Sequence, residues 1–213
     1  MPRQRVRIRF SKLGRLKFIG HNDLLRTLEG LFRRARLPLA MSGGFHPKVK
    51  MSFPSALALG YESIDEVLEL EMKETAEPVN TDALLADLNR QALEGLTFLS
   101  ARLLNEGEKK ASLVSSTFQI AIPSELLTRT TERVEKFLSE TSVIVSKRNG
   151  KSVDVRSAVL RMVLDETGEL LVELRTQSGP EAGIKEVLLV LGLEKELFVT
   201  LFPKRIRCRL SEQ

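Results

Sequence analysis

Residues 5–10, RVRIRF, alternate strictly, with Val6, Ile8 and Phe10 on one side and Arg5, Arg7 and Arg9 on the other. A period of two predicts a half-buried strand. After Gly20 the period changes. Leu24, Leu25, Leu28, Leu31, Phe32 and Ala35 recur at helical spacing, Asn22 stands where a cap belongs, and Pro38 follows the exit, so a helix is expected through about Arg36. Val49, Met51 and Phe53 then alternate with Lys48, Lys50 and Ser52. Leu68, Leu70 and Met72 share one face of a third strand, Glu66 to Met72. Asn80 or Thr81 starts a second helix carrying Leu84, Leu85, Leu88 and Leu93, and Leu96 to Leu104 reads as a fourth strand.

The order β-α-β-β-α-β is that of the ferredoxin-like split βαβ unit. It repeats. Residues 105–112, NEGEKKAS, are polar and read as a linker. Beyond them come a strand ending at Pro123, a helix that Ser124 can cap, and a hairpin turning at Asn149-Gly150. Two more strands flank Asp165–Gly168, a short helix spans Gly183–Leu193, and a closing strand runs from Phe198 to Leu210. The expected fold class is α+β: two tandem ferredoxin-like (βαββαβ) units with antiparallel sheets. The first occupies residues 1–104, and the second, with an inserted hairpin, occupies 113–213.

Composition narrows the functional classes. The chain has 213 residues, 42% of them apolar, enough for real cores. No apolar run approaches the roughly 18 residues of a membrane span, so no membrane role is expected. The opening MPRQRVRIRF lacks the apolar stretch of a signal peptide, and cytoplasm is the expected compartment. One cysteine, Cys208, excludes an intrachain disulfide framework. One cysteine with two histidines also argues against an ordinary structural zinc site. Neither a P-loop nor a dinucleotide fingerprint is present, so no metal and no cofactor is expected.

Charge is more informative. The first 50 residues hold 13 Lys or Arg against two acids, Asp23 and Glu29, whereas the remaining 163 hold 20 basic and 26 acidic side chains. A basic quarter on a mildly acidic body suggests a polyanion-binding face, and nucleic acid is its commonest partner. Arg5, Arg7 and Arg9 point to the face of the first sheet that helices leave open, together with Lys48 and Lys50; Lys12, Arg15 and Lys17 follow in the adjoining loop. The competing reading is a cross-strand ladder, because Glu69 and Glu71 fall on that same side.

The segment Ser42–Lys50, SGGFHPKVK, gathers the remaining candidates. Gly43 and Gly44 permit backbone N–H groups to converge on an anion. Phe45 offers a ring for base stacking, and His46, Lys48 and Lys50 supply charge. The loop Gly14–Gly20 has similar makeup; its Phe18 is expected in the core, while Phe45 fits either core or surface.

Five short motifs carry a family resemblance: R-F-x-K-x-G at Arg9–Gly14, F-x-x-H-x-D-L at Phe18–Leu24, R-R-A-x-L-P at Arg33–Pro38, S-x-G-F at Ser42–Phe45, and M-S-F-x-x-A-L-x-L-G-x-E-S at Met51–Ser63. Together with Asp154-Val-Arg156 they make the chain resemble a stand-alone member of the bacterial radical-SAM-associated domains of unknown function. That resemblance implies a radical-SAM protein as partner. The C-x-x-x-C-x-x-C cluster motif of radical-SAM enzymes is absent here. The chain also departs from the family in having His46-Pro47-Lys48-Val49 where an Asn-Pro-His-Pro-type segment is usual. A second resemblance, in architecture, is to tandem ferredoxin-like CRISPR repeat-processing endoribonucleases. It implies metal-independent RNA cleavage with a histidine near the first helix, where His21 stands.

Three functions stay open at this point. The leading one is an RNA-binding module that presents a structured RNA to a radical-SAM or other modifying partner, with no catalysis of its own. The second is a metal-independent endoribonuclease in which His21 and His46 serve as base and acid. The third is a protein-interaction subunit with no nucleic-acid role.

Overall fold

A computed structural model describes residues 3–75, 77–147, 150–176 and 182–211. The chain divides into two compact units, Met1–Ser112 with Ser211–Gln213, and Leu113–Leu210. Both mix α and β structure, and the strand pairings within each are antiparallel.

The first unit runs β1 (Arg3–Lys12), α1 (His21–Arg34), β2 (Met51–Ser52), β3 (Glu62–Lys73), α2 (Thr81–Gln91) and β4 (Leu96–Leu103). Its strands lie in the order β4-β1-β3, with β2 on the far side of β3. The alternation in RVRIRF sets the register: Val6 faces Leu70 and Leu103, and Ile8 faces Leu68 and Ala101. These apolar residues pack against Leu24, Leu28, Leu31 and Phe32 of α1 and against Leu84 and Leu88 of α2. Val6, Ile8 and Phe10 are wholly buried, so the period-two expectation holds at each of them.

Two local details differ from expectation. α1 begins at His21, and its cap position is Gly20 with no side-chain bond, rather than Asn22. α2 is capped as expected, Asn80 accepting from the amides of Asp82 and Ala83. β2 pairs with β3 over only two residues. Upstream, Leu39 bridges Met72 and Met41 bridges Val49, so residues 42–48 leave the sheet edge as an excursion.

The second unit runs β5 (Leu113–Ala121), α3 (Ser124–Ser139), β6 (Ile144–Ser146), β7 (Ser152–Asp154), the short α4 (Val155–Ala158), β8 (Val159–Leu164), β9 (Glu169–Arg175), α5 (Ile184–Val190) and β10 (Lys204–Leu210). Its sheet order is β10-β5-β9-β8, and β6 pairs with β7 as a separate hairpin. Asn149, half of the expected turn signal, lies outside the described residues. Pro123, not Ser124, occupies the cap of α3. The closing strand starts at Lys204, later than Phe198, because Glu194–Leu201 fold into turns: the amides of Val199, Thr200 and Leu201 all donate to the Glu196 carbonyl.

Candidate nucleic-acid interface

The excursion at 42–48 is closed at its base from both sides. The Ser42 amide donates to the Lys48 carbonyl at 2.8 Å, and the Lys48 amide donates to Ser42 Oγ at 2.9 Å. Val49 is buried below, and Gly43 to Lys48 are exposed. Gly44 sits at φ +98°, where a side chain is strained; neither it nor Gly43 has any neighbour within 4 Å of where a Cβ would stand. The tip therefore holds Phe45 out, fully exposed, with His46 and Lys48 beside it in sequence. A phenylalanine kept wholly in water contributes nothing to the core, and it leaves a ring face open to a ligand.

The open face of the first sheet is not a bare row of cations. Arg7 donates to Glu69 from Nε at 3.0 Å and from Nη2 at 2.8 Å, and Arg5 Nη2 donates to the same carboxylate at 2.8 Å. Arg9 pairs with Asp65. Glu69 is 3% exposed. Burial pushes its carboxyl upward, yet hydrogen bonds from Arg5, the Ala111 amide and Arg7 outweigh burial and hold it below the usual carboxylate range. The ladder expected as the competing reading is thus present.

The stretch 105–112, expected as a linker, packs on the first unit. The Ala111 amide donates to Glu69 at 2.9 Å, and Arg5 Nη1 donates to the Glu108 carbonyl. The Glu108 carboxylate accepts from Arg102 at 2.6 and 3.0 Å and lies 3.4 Å from Arg7. Arg102 and Glu108 escaped the sequence reading. The acids of NEGEKKAS were the available signal, but nothing local says that they fold back on β1.

Among the expected cations, Lys12 needs a correction. It is 1% exposed and donates from Nζ to the Ile19 carbonyl at 3.1 Å, so it is not a surface cation. Burial lowers its ammonium below the usual lysine range, and the nearby Glu66 charge opposes that fall. Lys17 lies 3.8 Å from Glu62, and Lys50 lies 3.7 Å from Glu71. Arg15 and Lys48 are exposed, and their side chains make no ion pair among the described residues. Phe18, expected in the core, is 61% exposed with the Lys17 ammonium 5.3 Å from its ring centre. The Gly14–Phe18 turn buries Leu16 instead.

A polar cavity of about 200 Å³ opens on this unit, lined by Arg5, Lys50, Ser52, Glu69, Glu71 and Lys110. It adjoins β2, the strand that the 42–48 excursion leads into. The two histidines differ in setting. His21 packs edge-on against Phe53 at 5.2 Å between ring centres, while His46 stands exposed in the excursion, and no hydrogen bond joins the two among the described residues. Among the described residues, no group of three or more His, Cys, Asp or Glu is arranged to hold a metal ion, and no helix is long and apolar enough to cross a membrane.

Residues 5–185 match a family described as an uncharacterized protein conserved in bacteria (DUF2344). No curated protein matches the chain.

Proposed function

The chain belongs to that bacterial family, and on this premise we propose that it is a cytoplasmic RNA-binding module whose primary contact is the Ser42–Lys48 excursion. One observation carries the reading: Phe45 is fully exposed on a short excursion whose base is tied twice through Ser42, with Lys48 exposed at its foot and its ammonium in no ion pair among the described residues. A base stacks on such a ring without sequence preference, and Lys48 reaches its phosphate. Arg15 adds a second exposed cation, whereas Arg5, Arg7 and Arg9 are engaged by carboxylates.

Both units read best as ferredoxin-like. The strand orders β4-β1-β3-β2 and β10-β5-β9-β8, with a helix following the first and third main strands, support that reading. The motifs in residues 9–63 support a radical-SAM protein as the partner that receives the RNA.

The test is binding of single-stranded RNA at low and moderate salt. Phe45→Ala is expected to weaken binding by about 5- to 150-fold, the equivalent of one stacked base. Lys48→Ala is expected to flatten the log–log salt slope by roughly 0.7, as one lost phosphate contact does on a single strand. Unchanged affinity in both folded variants overturns the assignment. Metal-free cutting to 2′,3′-cyclic phosphate ends, slowed in His21→Ala and His46→Ala, would establish the endoribonuclease instead. Failure to bind any RNA while docking a protein would establish the interaction subunit.

A further inference from the structure

We propose that Arg5, Arg7 and Arg102 form a second phosphate-binding site on the first unit, closed here by Glu108, whose carboxylate stands where an RNA phosphate would bind. This rests on the RNA-binding reading above and adds a second site to it.

Arg102 meets Glu108 fork to fork, Nη1 to Oε2 at 3.0 Å and Nη2 to Oε1 at 2.6 Å. The same planar two-point arrangement is how a guanidinium grips two oxygens of a phosphate. Arg7 approaches the same carboxylate at 3.4 Å, and Arg5 donates to the Glu108 backbone carbonyl. Three guanidinium groups thus converge on one anionic residue.

With Glu108 in place, Arg5, Arg7 and Arg102 face two carboxylates, its own and that of Glu69. With Glu108 withdrawn they face Glu69 alone, a local excess of two positive charges that attracts a polyanion.

Asn105, Glu106, Gly107, Lys109 and Lys110 are exposed, and what this stretch does bury is polar, the Glu108 side chain being 13% exposed. Its attachments to β1 and β3 are ion pairs and hydrogen bonds, including the Ala111 amide on Glu69. The fork from Arg102, whose side chain is 53% exposed, is the solvent-facing part of this attachment and is weak and salt-sensitive, so a phosphate chain can exchange for Glu108 without disturbing the core. The cavity lined by Arg5, Lys50 and Lys110 opens at the edge of this cover, and β2 connects it to the 42–48 excursion. An RNA held at Phe45 therefore has a cationic approach to the closed site.

The experiment uses the full chain. Affinity for a single-stranded RNA oligonucleotide is measured against salt for wild type, Glu108→Gln and Phe45→Ala, and amide exchange across residues 104–112 is followed with and without RNA. The expected result is that Glu108→Gln binds about fivefold or more tightly, with a salt slope steeper by roughly 0.7 for each phosphate newly engaged. In wild type, RNA should speed exchange at the Ala111 amide as the cover lifts. If Glu108→Gln binds no more tightly and exchange is unchanged, Glu108 is a structural ion-pair partner and the proposal falls. In that case a Phe45→Ala loss leaves the excursion reading standing. Tight binding by Glu108→Gln with no effect of Phe45→Ala does the reverse. No RNA binding by any form overturns both, and release of the cover by an acidic peptide instead of RNA overturns the choice of ligand. The wild-type exchange measurement needs no variant, so it decides the question even where Glu108→Gln folds poorly.

Discussion

Asn89 of α2 satisfies both backbone groups of Phe98 in β4: its Nδ2 donates to the Phe98 carbonyl at 2.9 Å, and the Phe98 amide donates to its Oδ1 at 2.8 Å. β4 ends the strand order of its sheet, so these groups lack a further strand to pair with. The carboxamide takes the place of that strand. Asn89→Ala leaves both groups unmet and is expected to destabilise the first unit by about 1–3 kcal/mol. Asn89→Asp recovers little, because an oxygen then faces the Phe98 carbonyl. Urea unfolding midpoints check both; a wild-type midpoint for Asn89→Ala refutes the assignment.

Two glycines perform the same task, one in each unit. The Gly95 carbonyl accepts from the Leu13 amide at 2.8 Å, and the Gly168 carbonyl accepts from the Ile122 amide at 2.7 Å. Both glycines lie at positive φ, +85° and +87°, and a Cβ would stand 2.4 Å from the Leu13 carbonyl oxygen and 2.6 Å from that of Ile122. Gly95→Ala and Gly168→Ala are each expected to cost at least about 1–2 kcal/mol from backbone conformation alone, with the clash added. Gly43→Ala meets open space at ordinary φ and should leave the thermal midpoint unmoved. Calorimetry of the three variants separates these outcomes.

Acid should loosen the cover on the arginine face. Glu108 is held at about 2, against 4.5 for the free side chain, chiefly by hydrogen bonds from Arg102 and then from the Asn105 amide. A carboxylate with a depressed folded value binds its proton more readily when unfolded. Its contribution is therefore complete above 4.5 and lost as the pH falls towards 2. Glu69 shifts in the same direction and adds to the same loss. Stability should be flat from about pH 7 to 5 and fall below that, with a shallower fall in Glu108→Gln. Urea midpoints across this range test it, and an equal slope in both proteins would contradict it.

Lys12 should matter for folding and not for binding. Replacing it with alanine removes the bond to the Ile19 carbonyl and is expected to cost about 1–3 kcal/mol. RNA affinity per folded molecule should stay at the wild-type value. A selective loss of affinity with normal stability would return Lys12 to the interface.

Much of the first sheet was legible in the chain. Strict alternation in RVRIRF determines that Val6, Ile8 and Phe10 share one face, because a strand turns each successive side chain over, and burial follows at all three. The leucine spacing placed α1 and α2, since repeats of three and four residues return to one side of a helix. The polar, glycine-bearing run at 42–48 announced an excursion from regular structure for the same local reason. These properties depend on neighbours a few positions apart, which a sequence displays directly.

The fate of the charges was decided elsewhere. Arg5 meets Glu69 across 64 positions and Glu108 across 103, and no local pattern encodes contacts of that separation. Lys12 was expected in the loop after the strand, yet β1 runs through it, and its even position puts it on the side of Val6, Ile8 and Phe10, where it is buried. Phe18 has the chemistry of a core residue, but its turn buries Leu16 and leaves Phe18 in solvent. Local periodicity thus determined which side chains are apolar partners, because hydrophobic burial needs only a shared face. The tertiary structure alone decided which cations are spent on carboxylates and which remain open to a ligand, because an ion pair needs two groups within about 4 Å, and only the folded chain brings them there.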